Sequence, residues 1–218
     1  MTYVVNSYRL QVRYHLFQVQ EIPMEEIKEK KHEIRNRVAQ QLAALPDKEL
    51  LERTRQIEDR LFEFANFLEA KIVLLYLNGK LEVASRNIIQ KSYDVNKIVV
   101  LPVFSQESLK LTLLKVDSLD TDLIPDSGGK LSPDPDRCKR VPLDRIDIAL
   151  IPGVAFDEKG GRIGMGDGFY DRLIPKLPAT TRKVALAFDD QVLSQVPMES
   201  HDKHVDIIIT EKRIIYKI

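Results

Sequence analysis

The chain has one cysteine, Cys138, only nine glycines in 218 residues, and no excess of either charge. A single thiol excludes an intrachain disulfide and a zinc site built on several cysteines, and it suits a reducing compartment. Lysine and arginine together number 33, matched by 33 aspartates and glutamates. That balance argues against nucleic acid or an anionic membrane held by bulk electrostatics, and leaves room for a local basic site. No apolar run approaches the ~18 residues needed to span a bilayer. No Ser/His/Asp or Cys/His nucleophile system stands out, and His15, His32, His201 and His204 lack the surroundings of a catalytic base. What remains is a chain that is 44% hydrophobic, enough for a real core. A soluble cytoplasmic monomer is expected.

The first twenty-three residues differ from the rest, with no acid before Glu21 and no helix period. Tyr8, Leu10, Val12 and Tyr14 alternate like an added β-segment. The acid-poor composition also fits a transit peptide, although it holds only two arginines and one serine. The composition jump at Met24 supports a third reading, in which Met24 is the true start. The domain assignment is therefore 1–23 as an N-terminal extension and 24–218 as a single α/β domain.

From Met24 to about Leu45 the apolar residues Ile27, Ile34, Val38, Leu42 and Leu45 share one helical face. A second helix is expected from about Asp47 to Leu68, after Pro46. Short β-branched runs follow at Lys71–Leu77, Lys97–Val103, Leu111–Val116, Asp147–Pro152, Lys183–Phe188 and Val205–Thr210. Several do not alternate, which suits strands buried on both faces. Helices are expected at Glu82–Lys91 and from Phe169 to about Leu173, an antiparallel edge strand at Lys212–Ile218, and a loop over Ser118–Pro142. Strands interleaved with helices predict an α/β, three-layer Rossmann-like fold with a mainly parallel sheet flanked by helices.

Five of the nine glycines fall in "GGRIGMGDGFYDR", Gly160 to Arg172. Gly164, Gly166 and Gly168 alternate between a strand-like segment and a helix. Glycines let backbone N–H groups approach a ligand, and a helix N-terminus adds unpaired N–H groups. Arg162 supplies a bidentate donor suited to phosphate. The pattern predicts a phosphate cradle, with a plain flexible turn as the alternative. It lacks the Gly-Lys-Ser/Thr of the P-loop, and its third glycine comes one residue too early for the dinucleotide fingerprint. Asp171 then reads either as a favourable charge in the first helical turn or as a magnesium ligand. "HDKHVD", His201 to Asp206, reads as a transition-metal site, as a magnesium-binding aspartate, or as a solvated Asp turn.

The first helix carries a further signal. With Ile27 at zero and about 100° per residue, Lys31 falls near ~40°, between Val38 at ~20° and Leu42 at ~60°, with Arg35 near ~80°. Two cations on an inward face either snorkel to its edge or meet an anion, for which a phosphate is the natural choice.

Taken together, these residues resemble the 5-formyltetrahydrofolate cyclo-ligase (methenyltetrahydrofolate synthetase) family over nearly all of Met24 to Thr210. The blocks "KHEIR", "IPGVAFDEKGGRIGMGDGFYDRLI" and "ALAFDDQVLSQVPMESHDKHVDIIIT" occur in the family's order. The resemblance implies that ATP phosphorylates the formyl oxygen of 5-formyltetrahydrofolate, and that the folate 10-nitrogen then closes the ring to 5,10-methenyltetrahydrofolate with release of ADP and phosphate. The partners it implies are ATP and a reduced folate, with Mg2+ as cofactor. It marks Lys31 and Arg35 as ATP contacts, and Arg162, Ile163, Gly164, Met165, Gly166, Asp167, Gly168, Phe169 and Tyr170 as the ATP loop. Lys31 and Arg162 carry the catalytic role, Asp171 and Asp202 hold the metal, and Leu77, Glu82, Met165, Phe169 and Tyr170 contact the folate. Met165 and Asp167 depart from the family's usual residues, and Ser132-Pro133 stands for its frequent Glu-Pro. An acid at 167 beside a triphosphate needs an offset from metal or Arg162. Two alternatives go with that departure: a paralogue acting on another N-formyl or amide substrate, or a nucleotide- or folate-binding module without turnover. On the third reading of the N-terminus, mass spectrometry of the native protein finds Met24 as its first residue.

Overall fold

The computed structural model describes residues 24–105, 110–126 and 128–217. The N-terminal extension lies outside the described residues, so its three readings stand as they were. The first helices are α1 (Met24–Ala43), α2 (Asp47–Glu63) and α3 (Ala65–Glu69). In α1 the predicted stripe points inward: Val38 and Leu42 are buried, and Ile34 packs against the same cluster. Lys31 lies in that stripe and is buried with it. The second helix does not run unbroken to Leu68. Phe64 is extended, at φ −72° and ψ 119°, which lets both Phe64 and Phe67 enter the core. The carbonyls of Phe67, Leu68 and Ala70 freed at the end of α3 accept from Lys97 Nζ at 2.6, 3.2 and 2.7 Å, a long-range cap.

The chain continues through β1 (Ile72–Leu74), α4 (Arg86–Asp94), β2 (Ile98–Ser105), β3 (Lys110–Lys115), β4 (Leu123–Pro125), β5 (Leu131–Pro133) and β6 (Ile148–Leu150). Then come β7 (Ala155–Asp157), β8 (Arg162–Ile163), α5 (Phe169–Leu173), β9 (Arg182–Leu186), β10 (Val192–Leu193), β11 (Ile207–Ile209) and β12 (Ile214–Tyr216). Seven strands form the central sheet in the order β12-β11-β9-β6-β1-β2-β3. The five strands from β11 to β2 are parallel, and antiparallel β3 and β12 close its edges. This is an α/β fold with a mixed, mostly parallel sheet flanked by helices.

Alternation along the strands explains the unbroken apolar runs. Val73, Val99, Ile148, Val184 and Ile207 pack on one face with α1 to α4. Leu74, Val100, Ala149, Ala185 and Ile208 pack on the other with Leu173, Ile174 and Leu177. Both faces are dry, so the central positions of the parallel strands are apolar in succession. The second face uses alanines where α5 and its following turn lie close. No helix among the described residues is long and apolar enough to cross a membrane.

Three other departures from sequence expectation have local causes. The helix expected from Glu82 begins at Arg86, because Ser85 donates through N and Oγ to Asn78 Oδ1 at 3.0 and 3.2 Å and holds 78–85 as a loop. The 118–142 segment is not all loop: β4 and β5 pair antiparallel, and the Asp126 carboxylate accepts from the N–H of Gly128 and Lys130 at 2.8 and 2.9 Å to shape their turn. A small second sheet, β10-β7-β8, leads into the glycine loop through β8 and is joined by β10 from beyond it. Its β7–β8 turn is organised by Asp157, which accepts from Lys159 N and Gly161 N at 3.0 and 2.8 Å.

Ala185 has no exposure and faces the tightly covered side. Ala185→Leu is expected to cost about 1–3 kcal/mol by overpacking, read as a lower urea midpoint at unchanged slope.

Candidate active site

β1 leads to β2 on one side, and the chain later returns to lay β6 on the other side of β1. Connections leaving two adjacent parallel strands in opposite directions open a crevice at their carboxyl ends. Here that crevice is a cleft of about 1030 Å³, at the upper end of the usual ~300–1,000 Å³ for small-molecule sites. Every site residue that the family resemblance marks lines it. Lys31 and Arg35 come from α1, and Leu77 and Glu82 from the loop after β1. Arg162 and Ile163 form β8, and Gly164, Met165, Gly166, Asp167 and Gly168 form the glycine loop. Phe169, Tyr170 and Asp171 open α5, and Asp202 precedes β11.

Lys31 does not snorkel. Its Nζ donates to Glu199 Oε2 at 2.7 Å and to Asp202 Oδ2 at 2.5 Å, and all three side chains are at least nine-tenths buried. The anion meeting the inward lysine is therefore a pair of carboxylates from the protein itself, where the sequence suggested phosphate. Glu199 N also donates to Asp202 Oδ2 at 2.7 Å, and Glu199 Oε1 is buried without a partner. Arg35 Nε donates to the Gly164 carbonyl at 2.8 Å, pinning α1 to the glycine loop. Burial pulls the Arg35 guanidinium below its ordinary pKa, and Asp202 opposes that pull.

Arg162 is buried and already clamped. Nη1 donates to Pro152 O at 3.2 Å and Nη2 to Asp171 Oδ1 at 2.8 Å, while Nε is buried with no partner. The fork read as a free phosphate grip is thus turned onto the protein. Asp171 is more than a favourable charge in a helical turn. Its Oδ1 also accepts from Lys203 N at 2.9 Å, which joins α5 to the residue after Asp202. Both bonds use Oδ1. α5 has only five residues and carries little of a macrodipole, so the loop's own N–H groups must do more of the work expected of the helix end.

The glycines divide into two kinds. A Cβ on Gly164 would lie 2.6 Å from Arg162 Nη1, so this position is small for the guanidinium's sake. Gly166 has φ +125° with nothing within 4 Å of a built Cβ, a backbone kept bare beside open space, as a ligand-facing loop requires. Asp167, the departure that most needed explaining, is exposed. Its carbonyl accepts from Arg172 Nη2 at 3.0 Å, so the acid stands in water with a cation close behind it. Met165 is exposed at the cleft.

Phe169 and Tyr170 meet edge-to-face at 4.9 Å between centroids, and Phe104 continues the stack onto Phe169 at 5.2 Å. Burial holds the Tyr170 phenol above its ordinary pKa, and Glu82 adds to the effect. Glu82 accepts from Gly79 N at 2.7 Å. Burial raises its carboxyl pKa, while the Gly79 bond, Arg162 and Lys130 pull it down.

Sequence reading missed Glu199, which lies two residues before the histidine-aspartate cluster, and it missed Leu123, Lys130 and Leu131 of the β4–β5 hairpin. Neither carries a motif. Of the two clustered histidines, His201 joins Glu199 and Asp202 in a group whose ligand atoms lie within 4.8 Å of one another, whereas His204 is exposed.

A parallel-sheet crevice lined by a glycine loop, cations and carboxylates marks an α/β protein with a small-molecule site at its strand ends. Comparison with known proteins is specific. The family model described as the 5-formyltetrahydrofolate cyclo-ligase family matches residues 27–211. A probable 5-formyltetrahydrofolate cyclo-ligase of Caenorhabditis elegans is 30% identical over 202 residues, covering 88% of this chain and 98% of its own. The Escherichia coli K12 5-formyltetrahydrofolate cyclo-ligase is 28% identical over 178 residues, covering 81% and 98%. The NMR structure of Aquifex aeolicus 5,10-methenyltetrahydrofolate synthetase superposes with a TM-score of 0.74 at 29% identity, covering 85% of this chain and 92% of that one. The chain belongs to the 5-formyltetrahydrofolate cyclo-ligase family.

The raised pKa of Glu82 makes a signed prediction. The native state holds this proton more tightly than the unfolded chain, so the group's stabilising contribution is present below the ordinary 4.5 and is lost as pH rises through the raised value. Glu82→Gln, neutral throughout, is expected to melt higher than the parent at about pH 7 and no higher at about pH 4. Thermal melts at the two pH values check this.

Proposed function

We infer that this protein carries out its family's reaction, the ATP- and magnesium-dependent conversion of 5-formyltetrahydrofolate to 5,10-methenyltetrahydrofolate. The γ-phosphoryl group passes from ATP to the formyl oxygen. The folate 10-nitrogen attacks the activated carbon, and the C–O bond breaks with phosphate leaving. A formamide oxygen is a poor leaving group until phosphorylated, and phosphoryl transfer needs chiefly positioning and neutralisation of charge. A cleft with cations and bare backbone but no triad suits that chemistry. The observation that most supports the reading is that Lys31, Arg35, the glycine loop, Glu82 and Asp202, from distant segments, line one cleft in a chain of this family.

The proposed roles follow from the contacts. The Gly164–Gly168 backbone and Lys31 receive the triphosphate, and Arg35 fixes the loop through Gly164. Arg162 holds Asp171 in place and keeps Nε for a phosphate oxygen. Leu77, Met165, Phe169 and Tyr170 offer apolar and aromatic surface to the pterin, and Glu82 offers a carboxyl. The donor set fits magnesium, being hard carboxylate oxygens with one buried oxygen unmatched. Asp171 and Asp202 would hold the ion, which neutralises phosphate charge when bound. The reading of the fold as three-layer and Rossmann-like belongs to this proposal, supported by sheet faces covered on both sides. So do a monomeric state and a cytoplasmic location, the latter supported by the buried free thiol of Cys138, which suits a reducing compartment.

Protein mixed with magnesium, ATP and 5-formyltetrahydrofolate is expected to develop the near-ultraviolet absorption of the methenyl product with matching ADP. The absence of both product and ADP would refute the activity; ADP release only with a different formamide would point to the paralogue. Lys31→Met is expected to raise the KM for ATP about tenfold or more. Asp171→Asn keeps an oxygen for Arg162 and Lys203 but removes the charge that Arg162 faces, so some loss of Tm is expected, and the magnesium-activated rate per folded molecule should fall about 10–100-fold. A collapse in Tm with unchanged rate per folded molecule would make Asp171 purely structural.

A further inference from the structure

The carboxylates of Glu199 and Asp202 already hold a cation, the ammonium of Lys31. Lys31 Nζ lies 2.7 Å from Glu199 Oε2 and 2.5 Å from Asp202 Oδ2. The three charges leave one negative charge over in a nearly dry place, and a buried carboxylate of that kind is costly unless matched. The mismatch is visible: Glu199 Oε1 is buried and has no hydrogen-bond partner among the described residues. His201, exposed and 3.5 Å from Asp202 Oδ1, stands at the rim of the group, and Arg35 is the other cation whose field reaches Asp202.

We propose that Glu199 is a positioning residue of the site, and that Lys31 is a resident counter-cation which occupies the carboxylates of Glu199 and Asp202 until an anion draws it away. The inference rests on the function proposed above and deepens it. A divalent cation arriving alone competes with an ammonium already seated between the two acids. A triphosphate gives Lys31 a better partner, and the vacated oxygens, with Glu199 Oε1 among them, then face a cation. Metal and nucleotide therefore bind with positive coupling, and the coupling is reciprocal. The protein avoids both a bare buried acid pair when empty and a metal bound without its nucleotide.

The test needs neither turnover nor folate. Binding of Mn2+ is followed by its electron paramagnetic resonance signal in nucleotide-free protein. The parent should bind Mn2+ weakly. Lys31→Met and Lys31→Gln, each checked for folding by circular dichroism, should bind it more tightly by about tenfold or more. Adding Glu199→Gln to either should abolish that gain. In the parent, a non-hydrolysable ATP analogue should raise Mn2+ affinity beyond that of the analogue alone, and Glu199→Gln should shrink the increase. Unchanged Mn2+ affinity on removing the Lys31 charge overturns the proposal, as does a gain that survives Glu199→Gln. Either result leaves the cyclo-ligase assay untouched, and a chain inactive on 5-formyltetrahydrofolate could still show the metal gain, so the two readings fail separately.

Discussion

The carboxyl ends of β1 and β6 lie side by side, yet the chain leaves them in opposite directions, towards β2 on one hand and β9 on the other. Everything at the cleft depends on that reversal. In a twisted parallel sheet, adjacent crossovers on the same side would cover the strand ends, and the reversal leaves them open. The strands there are short, and their extended continuations at Leu75 and Ile151 still donate to Val100 and Val184 at 2.9 and 2.8 Å. The walls of the cleft therefore inherit the rigidity of the core, because loops tied to a packed sheet cannot drift independently.

Onto this frame the protein fastens charge in pairs. Lys31 is bound by Glu199 and Asp202, Arg162 by Asp171, and Arg35 by the Gly164 carbonyl. The Lys31 and Arg35 pairings join segments far apart in sequence and bring α1 to the glycine loop, and the Arg162–Asp171 pair ties the two ends of that loop together. Removing one member would strand its partner in a low-dielectric setting, at a cost far above that of a surface pair.

The departures from expectation share one character. The inward angle of Lys31 followed from the helical period, because Val38 and Leu42 define the face on which it must lie. The bareness of Gly166 followed from residue type, and its positive φ is what that type permits. Glu199 was invisible because nothing local marks an acid that will meet a lysine 168 residues away. The break at Phe64 was invisible because helix propensity favours continuation, and only Phe67's place in the core and the Lys97 cap outweigh it. Phe104 and the β4–β5 hairpin escaped for the same reason, being held by long-range packing without a motif.

Asp167 shows where the division falls. By sequence it was an acid set among presumed phosphate contacts. Its exposure and the Arg172 contact at its carbonyl make it a solvated residue at the loop's outer turn. By itself the sequence determined the α/β architecture with a mostly parallel sheet, the inward lysine and the bare loop, since periodicity and side-chain size act over a few residues. Only the tertiary structure decided which charge faces which, because a buried ion pair is a statement about distance, and the sheet's reversal sets that distance.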